Sequence, residues 1–103
     1  MILKMHIHSS RLVLAACDDE LVGNVYEEGK KILDLSSSFY KGDKVSDDDF
    51  FAIAKKCYLI NAVGKNTISV LSEEGIISEE DTKKINGVPY VQVVFEQSPE
   101  PLS

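Results

Sequence analysis

The sequence predicts one α+β domain, in which a largely antiparallel sheet carries two main helices packed on one face. Apolar and polar residues alternate on both sides of a polar pair within the first 17 residues, which predicts a β-hairpin. Apolar residues recur at helical spacing between residues 46 and 74, and Asn86-Gly87 predicts a second hairpin. The chain has 103 residues, of which 44% are hydrophobic, so residues 1–96 can enclose a single core. Residues 97–103 contain two prolines and are predicted to be a disordered tail.

The first hairpin is predicted to turn at Ser9-Ser10 and to place Ile2 opposite Cys17. One of its faces is then apolar and is expected to face the core; its residues are Met1, Leu3, Met5, Ile7, Leu12, Leu14 and Ala16. The other face carries a basic patch, defined here as Lys4, His6, His8 and Arg11. An ordinary solvated sheet surface is the simpler explanation of this patch. Contact with an anion or an RNA backbone is the functional alternative.

Between the hairpins, strands are predicted near Val25 and over residues 31–35, and both are expected to join the sheet. A central helix is predicted over residues 46–64, because Ser46 is a good N-cap and three aspartates follow it in the first turn. Gly64 interrupts the pattern. A second helix is predicted over residues 65–74 and ends at Gly75.

The net charge of −6 is concentrated in the second part of the chain. Residues 1–45 hold six Lys or Arg against seven Asp or Glu, whereas residues 46–103 hold five against ten. This field disfavours non-specific binding to nucleic acid, although a local basic surface can still contact phosphate. No apolar run approaches the roughly 18 residues of a membrane span, and the first residues lack a signal-peptide pattern. The sequence therefore predicts a cytoplasmic protein that does not associate with membranes.

No catalytic group, metal site or cofactor is predicted. Two His and two Cys could supply zinc ligands, but the cysteines lack C-x-x-C spacing and Cys57 lies among apolar residues. A Cys17 nucleophile needs a histidine base in hydrogen-bond contact, and the predicted register separates it from His6 by roughly 13 Å. The acidic runs 47–49 and 79–81 are interpreted as helix starts rather than Mg²⁺ sites. The common nucleotide-binding and hydrolase motifs are also missing from the sequence.

Six short motifs carry a resemblance to a known family. They are Cys17-Asp18-Asp19-Glu20-Leu21-Val22-Gly23, Glu28-Gly29, Phe39-Tyr40-Lys41-Gly42-Asp43, Asn61-Ala62-Val63-Gly64, Glu74-Gly75-Ile76-Ile77 and Gly87-Val88-Pro89-Tyr90-Val91-Gln92. In this order they resemble the small archaeal family known as domain of unknown function number 424. The resemblance implies an archaeal cytosolic protein and only a loose link to translation or RNA, and it supplies no activity. Where the family often has His after Gly-Val-Pro, this chain has Tyr90.

The matched motifs contain a polar cluster that forms a second candidate site. Its members are Asp18, Glu20, Tyr40, Asn61, Tyr90 and Gln92. In a functional interpretation they surround a small pocket or a partner's backbone. In the structural interpretation, Asp18 caps a turn, Asn61 satisfies backbone groups near Gly64, and Tyr40 fills space with its hydroxyl at the surface.

Three functions follow from these features. The leading prediction is a non-enzymatic binding module that contacts RNA or a translation-related protein through the basic patch. The first alternative is a small enzyme or ligand-binding protein that uses Asp18, Glu20, Asn61 and Gln92. The second alternative is a self-associating scaffold, in which an exposed sheet edge or apolar patch forms a homodimer.

Overall fold

The computed structural model describes residues 1–95, which contain a six-stranded sheet, a separate two-stranded sheet and two α-helices. The strands are β1 (Ile2–His8), β2 (Arg11–Cys17), β3 (Val25–Glu28), β4 (Lys31–Asp34), β5 (Asp43–Lys44), β6 (Leu59–Val63), β7 (Lys83–Ile85) and β8 (Val88–Val94). The helices are α1 (Asp47–Ala54) and α2 (Lys65–Glu73), and 3-10 turns span Asp19–Leu21, Ser38–Tyr40 and Glu79–Asp81. The large sheet has the order β5-β1-β2-β6-β8-β7 and is mostly antiparallel, as predicted; β2 and β6 form its parallel pair.

The first hairpin has the predicted register, with Ile2 opposite Cys17 and His8 opposite Arg11. Ser9 and Ser10 have φ angles of 51° and 64°, which fits the two-residue turn that matches the twist of the flanking strands. The predicted core face is only partly covered, because Met5 and Ile7 remain 56% and 74% exposed. The hairpin therefore projects beyond the core that covers its base.

The prediction of one central helix over residues 46–64 is wrong in its second half. Ser46 does begin α1, and its Oγ accepts a hydrogen bond from Asp49 N at 3.1 Å. The helix ends at Ala54, however, and β6 follows in the middle of the large sheet. Apart from Asn61, β6 carries apolar residues on both faces, so its sequence lacks the alternation that identifies half-buried strands.

The strands predicted near residues 25 and 33 exist, but they do not join the large sheet. They pair with each other as β3 and β4 and form a second sheet. Their ladder is extended by Gly23 N, which donates to Leu35 O at 2.9 Å, and by Leu35 N, which donates to Asn24 O at 2.8 Å. The second sheet is attached to the rest of the domain by packing of Tyr26 and Leu33 and by a hydrogen bond from Asn86 N to Glu28 Oε1 at 3.0 Å. Most residues of both strands are solvent-exposed, which explains why alternation alone could not assign them to the main sheet.

The core consists of two clusters of buried residues. The larger cluster contains side chains from both helices and from four strands of the large sheet: Leu3, Leu14, Ala16, Phe50, Ala54, Cys57, Ile60, Ala62, Ile68, Leu71, Ile77 and Val91. The smaller cluster contains Cys17, Val63 and Leu35, with Tyr26 and Leu33 from the second sheet packed against it. Since neighbouring residues of a strand point to opposite faces, Ala62 and Val63 assign the two clusters to opposite faces of the large sheet.

The elements after β6 follow their local signals closely. Helix α2 ends before Gly75, whose φ is 72°, and Ile76 N donates to Leu71 O at 2.9 Å in the expected capping arrangement. Asn86 and Gly87 form the turn between β7 and β8, with φ angles of 50° and 80°. None of the helices in residues 1–95 is long and apolar enough to cross a membrane. The predicted tail at residues 97–103 lies outside the described part of the chain.

Candidate functional site

The basic patch lies on one side of the first hairpin, opposite the side that carries Leu3 and Leu14. Lys4 and His6 are half-buried, whereas His8 and Arg11 are exposed near the turn. Within residues 1–95, salt bridges involve the Met1 amino group and Lys44, both with Asp19, and none includes a member of the patch. The patch therefore remains cationic towards solvent.

Two members of the patch are held by aromatic rings. The His6 ring stacks on the Phe39 ring with centroids 4.4 Å apart, and His6 Nε2 lies 3.0 Å from Phe39 O. Phe39 also meets the edge of Tyr40 at 5.2 Å. At the turn, the Arg11 guanidinium lies 4.3 Å from the centre of the Tyr58 ring, a cation–π geometry. Phe39 therefore supports His6, and no local pattern indicates this contact because the two residues are 33 positions apart.

The strand register joins the basic patch to two members of the polar cluster. Lys4 is opposite Ala15, Ala15 is beside Asn61, and Asn61 is opposite Gln92. Paired residues of neighbouring strands point to the same face, so this row crosses β1, β2, β6 and β8 on one side of the sheet. Three strand spacings separate its ends, a distance of roughly 14 Å. Gln92 Nε2 donates to Asn61 Oδ1 at 2.9 Å, so the two amides form a pair. We call the surface formed by the basic patch, Asn61 and Gln92 the polar sheet face.

A cavity of about 260 Å³ opens beside the amide pair. Four members of the predicted polar cluster line it, namely Tyr40, Asn61, Tyr90 and Gln92. Burial, with a smaller contribution from Cys17, raises the pKa of Tyr40 to about 12. The Tyr40 hydroxyl therefore stays protonated at neutral pH and can act as a hydrogen-bond donor.

The other two members of the polar cluster lie elsewhere. Asp18 and Glu20 line a cavity of about 310 Å³ at the ends of the parallel strands β2 and β6, together with Gly64 and Pro89. The six residues consequently do not surround one pocket. This separation removes the geometric basis for a single catalytic centre built from Asp18, Glu20, Asn61 and Gln92.

Asp18 has a structural task that differs from the predicted one. It makes no side-chain cap to its own turn. Its carboxylate instead accepts hydrogen bonds from Asn66 N at 3.1 Å and from Thr67 N and Thr67 Oγ1 at 2.8 Å each, and so caps α2. Gly64 allows this contact, because a Cβ at that position would overlap the carboxylate. Asn61 also differs from the prediction, since its side chain pairs with Gln92 rather than with backbone near Gly64.

The groups associated with metal and thiol chemistry are dispersed or buried. Within residues 1–95, no three His, Cys, Asp or Glu side chains come together as metal ligands. Cys17 and Cys57 are buried free thiols, and burial raises the pKa of each to about 11. Both thiols are therefore protonated at neutral pH, which is not the state in which cysteine acts as a nucleophile.

A family model described as "Protein of unknown function (DUF424)" matches residues 5–95. The chain belongs to this family. The family resemblance recognised from the six motifs is thereby confirmed. The chain is also similar to a solved structure, described as the crystal structure of an uncharacterized conserved protein from Methanopyrus kandleri. The two share 27% sequence identity and superpose with a TM-score of 0.79, over 95% of this chain and 94% of the other. No curated protein matches the chain.

Proposed function

We propose that this protein is a non-enzymatic binding module whose polar sheet face holds a short segment of single-stranded RNA. The observation that carries the proposal is the row from Lys4 to Gln92 across four strands, which joins the basic patch to an amide pair. We also propose that the protein meets this RNA in the cytoplasm.

Each part of the polar sheet face suits one part of a nucleotide. Lys4 and Arg11 can contact phosphate oxygens, and guanidinium is especially suited to them because it presents two parallel N–H donors. Asn61 and Gln92 carry both donors and acceptors, which the edges of unpaired bases require. His6 lies between Lys4 and His8 on β1, and its stack with Phe39 adds an aromatic group beside them. Sheets that bind single-stranded RNA likewise offer aromatic rings on which bases stack and hydrogen-bonding groups for the base edges.

The proposal also requires that the opposite face of the sheet be closed. Helices α1 and α2 both contribute to the larger core cluster, through Phe50 and Ala54 and through Ile68 and Leu71. We infer that both helices pack on that one face and leave the polar sheet face for a ligand. The second sheet packs against the Cys17 end of this face. The Ser38–Tyr40 turn reaches further, because Phe39 stacks on His6 and Ala15 is fully buried, so the part left open to a ligand comprises Arg11, His8, Gln92 and the edges of Lys4 and Asn61.

Salt dependence provides the first test. Each phosphate contact with a single strand contributes a slope of about −0.7 to log K against log salt. Three contacts would give a slope of about −2, so affinity should fall roughly 15-fold between about 50 and 200 mM salt. A much steeper slope would mean many more phosphate contacts than the basic patch can make. The rest of this acidic protein, whose net charge is −6, would not supply them.

Charge reversal on the patch tests the location of the site. The anisotropy of a labelled single-stranded RNA of about 12 nucleotides would be measured with wild type, Lys4→Glu/Arg11→Glu and the control Lys55→Glu/Lys56→Glu. The control makes the same change in net charge at exposed residues that follow α1. Only the Lys4/Arg11 variant should lose affinity, by at least about tenfold. Equal losses of affinity in both variants, or no RNA binding by folded wild-type protein, would refute the proposal. A pull-down from native extract gives a second test, in which recovery of a partner protein and no RNA would also refute it.

Self-association is a second candidate function, favoured by the edge of β1. Among residues 1–95, this strand pairs with β5 only at Ile2 and Leu3, so residues 4–8 form an open edge in the described part of the chain. Val45 N donates to Met1 O, so the backbone groups of odd-numbered β1 residues point outwards, including those of Met5 and Ile7. Two copies aligned antiparallel about His6 would place Met5 of one copy opposite Ile7 of the other. Such an edge is a template for strand pairing.

Light scattering after size exclusion distinguishes this candidate. The wild-type mass should be twice that of one chain, whereas Ile7→Lys should give the mass of one chain. Ile32→Lys is the matched control, because Ile32 is 65% exposed but lies on β4, away from the open edge. A wild-type mass equal to one chain at high concentration would exclude the homodimer.

A further inference from the structure

A second binding site is formed between α2 and the β7–β8 hairpin. A cavity of about 370 Å³ lies there, lined by Lys65, Ile68, Ser69, Thr82, Lys84 and Pro89. The three α2 residues are separated by three and four positions, so they project from one face of the helix. Pro89 is opposite Lys84 in the hairpin, so both project to the same side of the sheet. That is also the side of Val91, which belongs to the larger core cluster and therefore lies opposite the polar sheet face.

The cavity combines an apolar floor with cationic walls. Ile68 is 6% exposed and Pro89 is buried, so both present hydrophobic surface to the cavity. Lys65 and Lys84 are exposed at its rim, and neither takes part in a salt bridge within residues 1–95. None of the described side chains that line the cavity is acidic. This contrasts with the net charge of −6 of the whole chain.

The opposite flank of α2 provides an internal comparison. Another cavity of about 370 Å³ lies there, and its lining includes the carboxylates of Asp19, Glu20, Asp47 and Glu73. Ser69 lines both cavities. Two clefts of similar size therefore flank one helix with opposite charge, and an anion is attracted only to the side of the lysines.

We propose that the lysine-lined cavity binds a small organic anion, whose apolar body packs on Ile68 and Pro89 and whose charged group meets the two lysines. The volume is within the range of small-molecule sites, and the few polar groups placed around an apolar floor are typical of them. This site is separate from the polar sheet face and does not depend on RNA binding.

The test uses 2-naphthoate as an aromatic carboxylate and 2-naphthalenemethanol as its uncharged counterpart. A ¹H–¹⁵N titration of the full chain should show naphthoate shifting amides near residues 65–69 and 82–88, with at least tenfold weaker binding of the alcohol. Lys65→Gln/Lys84→Gln should weaken naphthoate binding at least tenfold, whereas Lys55→Gln/Lys56→Gln should change it less than twofold. Shifts centred on residues 1–11, equal binding of acid and alcohol, or equal effects of the two variants would overturn the proposal.

Inorganic phosphate tests the role of the apolar floor. It carries the charge but has no apolar body to pack on Ile68 and Pro89, so it should bind more weakly than naphthoate. If phosphate binds more tightly than naphthoate, the apolar body has no role and the proposal is wrong.

Discussion

Removal of the Asp18 carboxylate should destabilise the whole domain, because this side chain caps α2 from a distant part of the sequence. It is only 4% exposed and accepts three hydrogen bonds, two from backbone N–H groups of the first turn of α2 and one from Thr67 Oγ1. Loss of an N-cap costs about 1 kcal/mol, and loss of a partly buried charge at a helix N-terminus costs up to about 2 kcal/mol. We therefore expect Asp18→Ala to lower the free energy of unfolding by about 3 kcal/mol.

The corresponding change in melting temperature is roughly 15 °C, since 1 kcal/mol corresponds to about 4–8 °C in a domain of this size. Asp18→Asn keeps one carbonyl oxygen for Thr67 but loses the charge, so its cost should be smaller, at about 1–2 kcal/mol. Urea denaturation followed by circular dichroism measures all variants. Asp18→Asn keeps the test decisive if the alanine variant does not fold.

Asp48→Ala is the matched control. Asp48 is an exposed carboxylate in the first turn of α1, where the dipole interaction alone is worth about 0.5 kcal/mol or less. If Asp18→Ala and Asp48→Ala cost the same, or if Asp18→Ala costs less than about 1 kcal/mol, Asp18 does not act as a buried cap and this reasoning is wrong.

Three further predictions concern the backbone and the buried thiols. In urea denaturation, Gly64→Ala should lower the free energy of unfolding more than Gly75→Ala does, because a Cβ at residue 64 would overlap Asp18 whereas a Cβ at residue 75 would meet open space. The loss caused by Gly64→Ala should be smaller in the Asp18→Ala background. If the effects of the two substitutions simply add, the overlap is contradicted. Changing Ser9-Ser10 to Asn-Gly should raise the free energy of unfolding by about 1 kcal/mol, because both positions have positive φ, which Asn and Gly adopt more readily than Ser. An unchanged urea midpoint would refute this prediction. Burial raises the pKa of Cys57 from its ordinary value of 9.0 to about 11, so the native state retains this proton to higher pH than the unfolded chain. The contribution of this proton to the free energy of unfolding is complete below about pH 9 and is lost as the pH rises towards 11. Between pH 9 and 11 the free energy of unfolding of Cys57→Ala should therefore fall less than that of wild type. If the two proteins lose stability in parallel over this range, the raised pKa of Cys57 is contradicted.

Local patterns predicted those elements whose signals lie within a few residues of one another. Alternation predicted the register from Ile2 to Cys17, Ser46 predicted the start of α1, and Asn86-Gly87 predicted the second turn, all of which the structure confirms. The basic patch followed from that register, because strand alternation assigns each side chain to a face. The family also followed from sequence, since its motifs are short and ordered along the chain.

The candidate sites depended on contacts that no local pattern contains. Asn61 was assigned to a helix, and it reaches the row that contains Lys4 only because its segment is a strand parallel to β2. The same pairing brings Asp18 to the first turn of α2. An apolar segment can be a buried helix or a central strand, and periodicity alone cannot distinguish the two.

Turns, the hairpin register and the local cap at Ser46 can be inferred from the amino-acid order, because hydrogen bonds between near neighbours and the two-residue period of a strand determine them. The cap of α2 by Asp18 cannot, since the carboxylate and the N–H groups that it accepts from are 48 and 49 residues apart. The position of β6, the separate second sheet, the polar sheet face and the lysine-lined cavity were decided by tertiary structure. They depend on which distant segments bury one another, and the free energy of that burial belongs to the whole core rather than to any single segment.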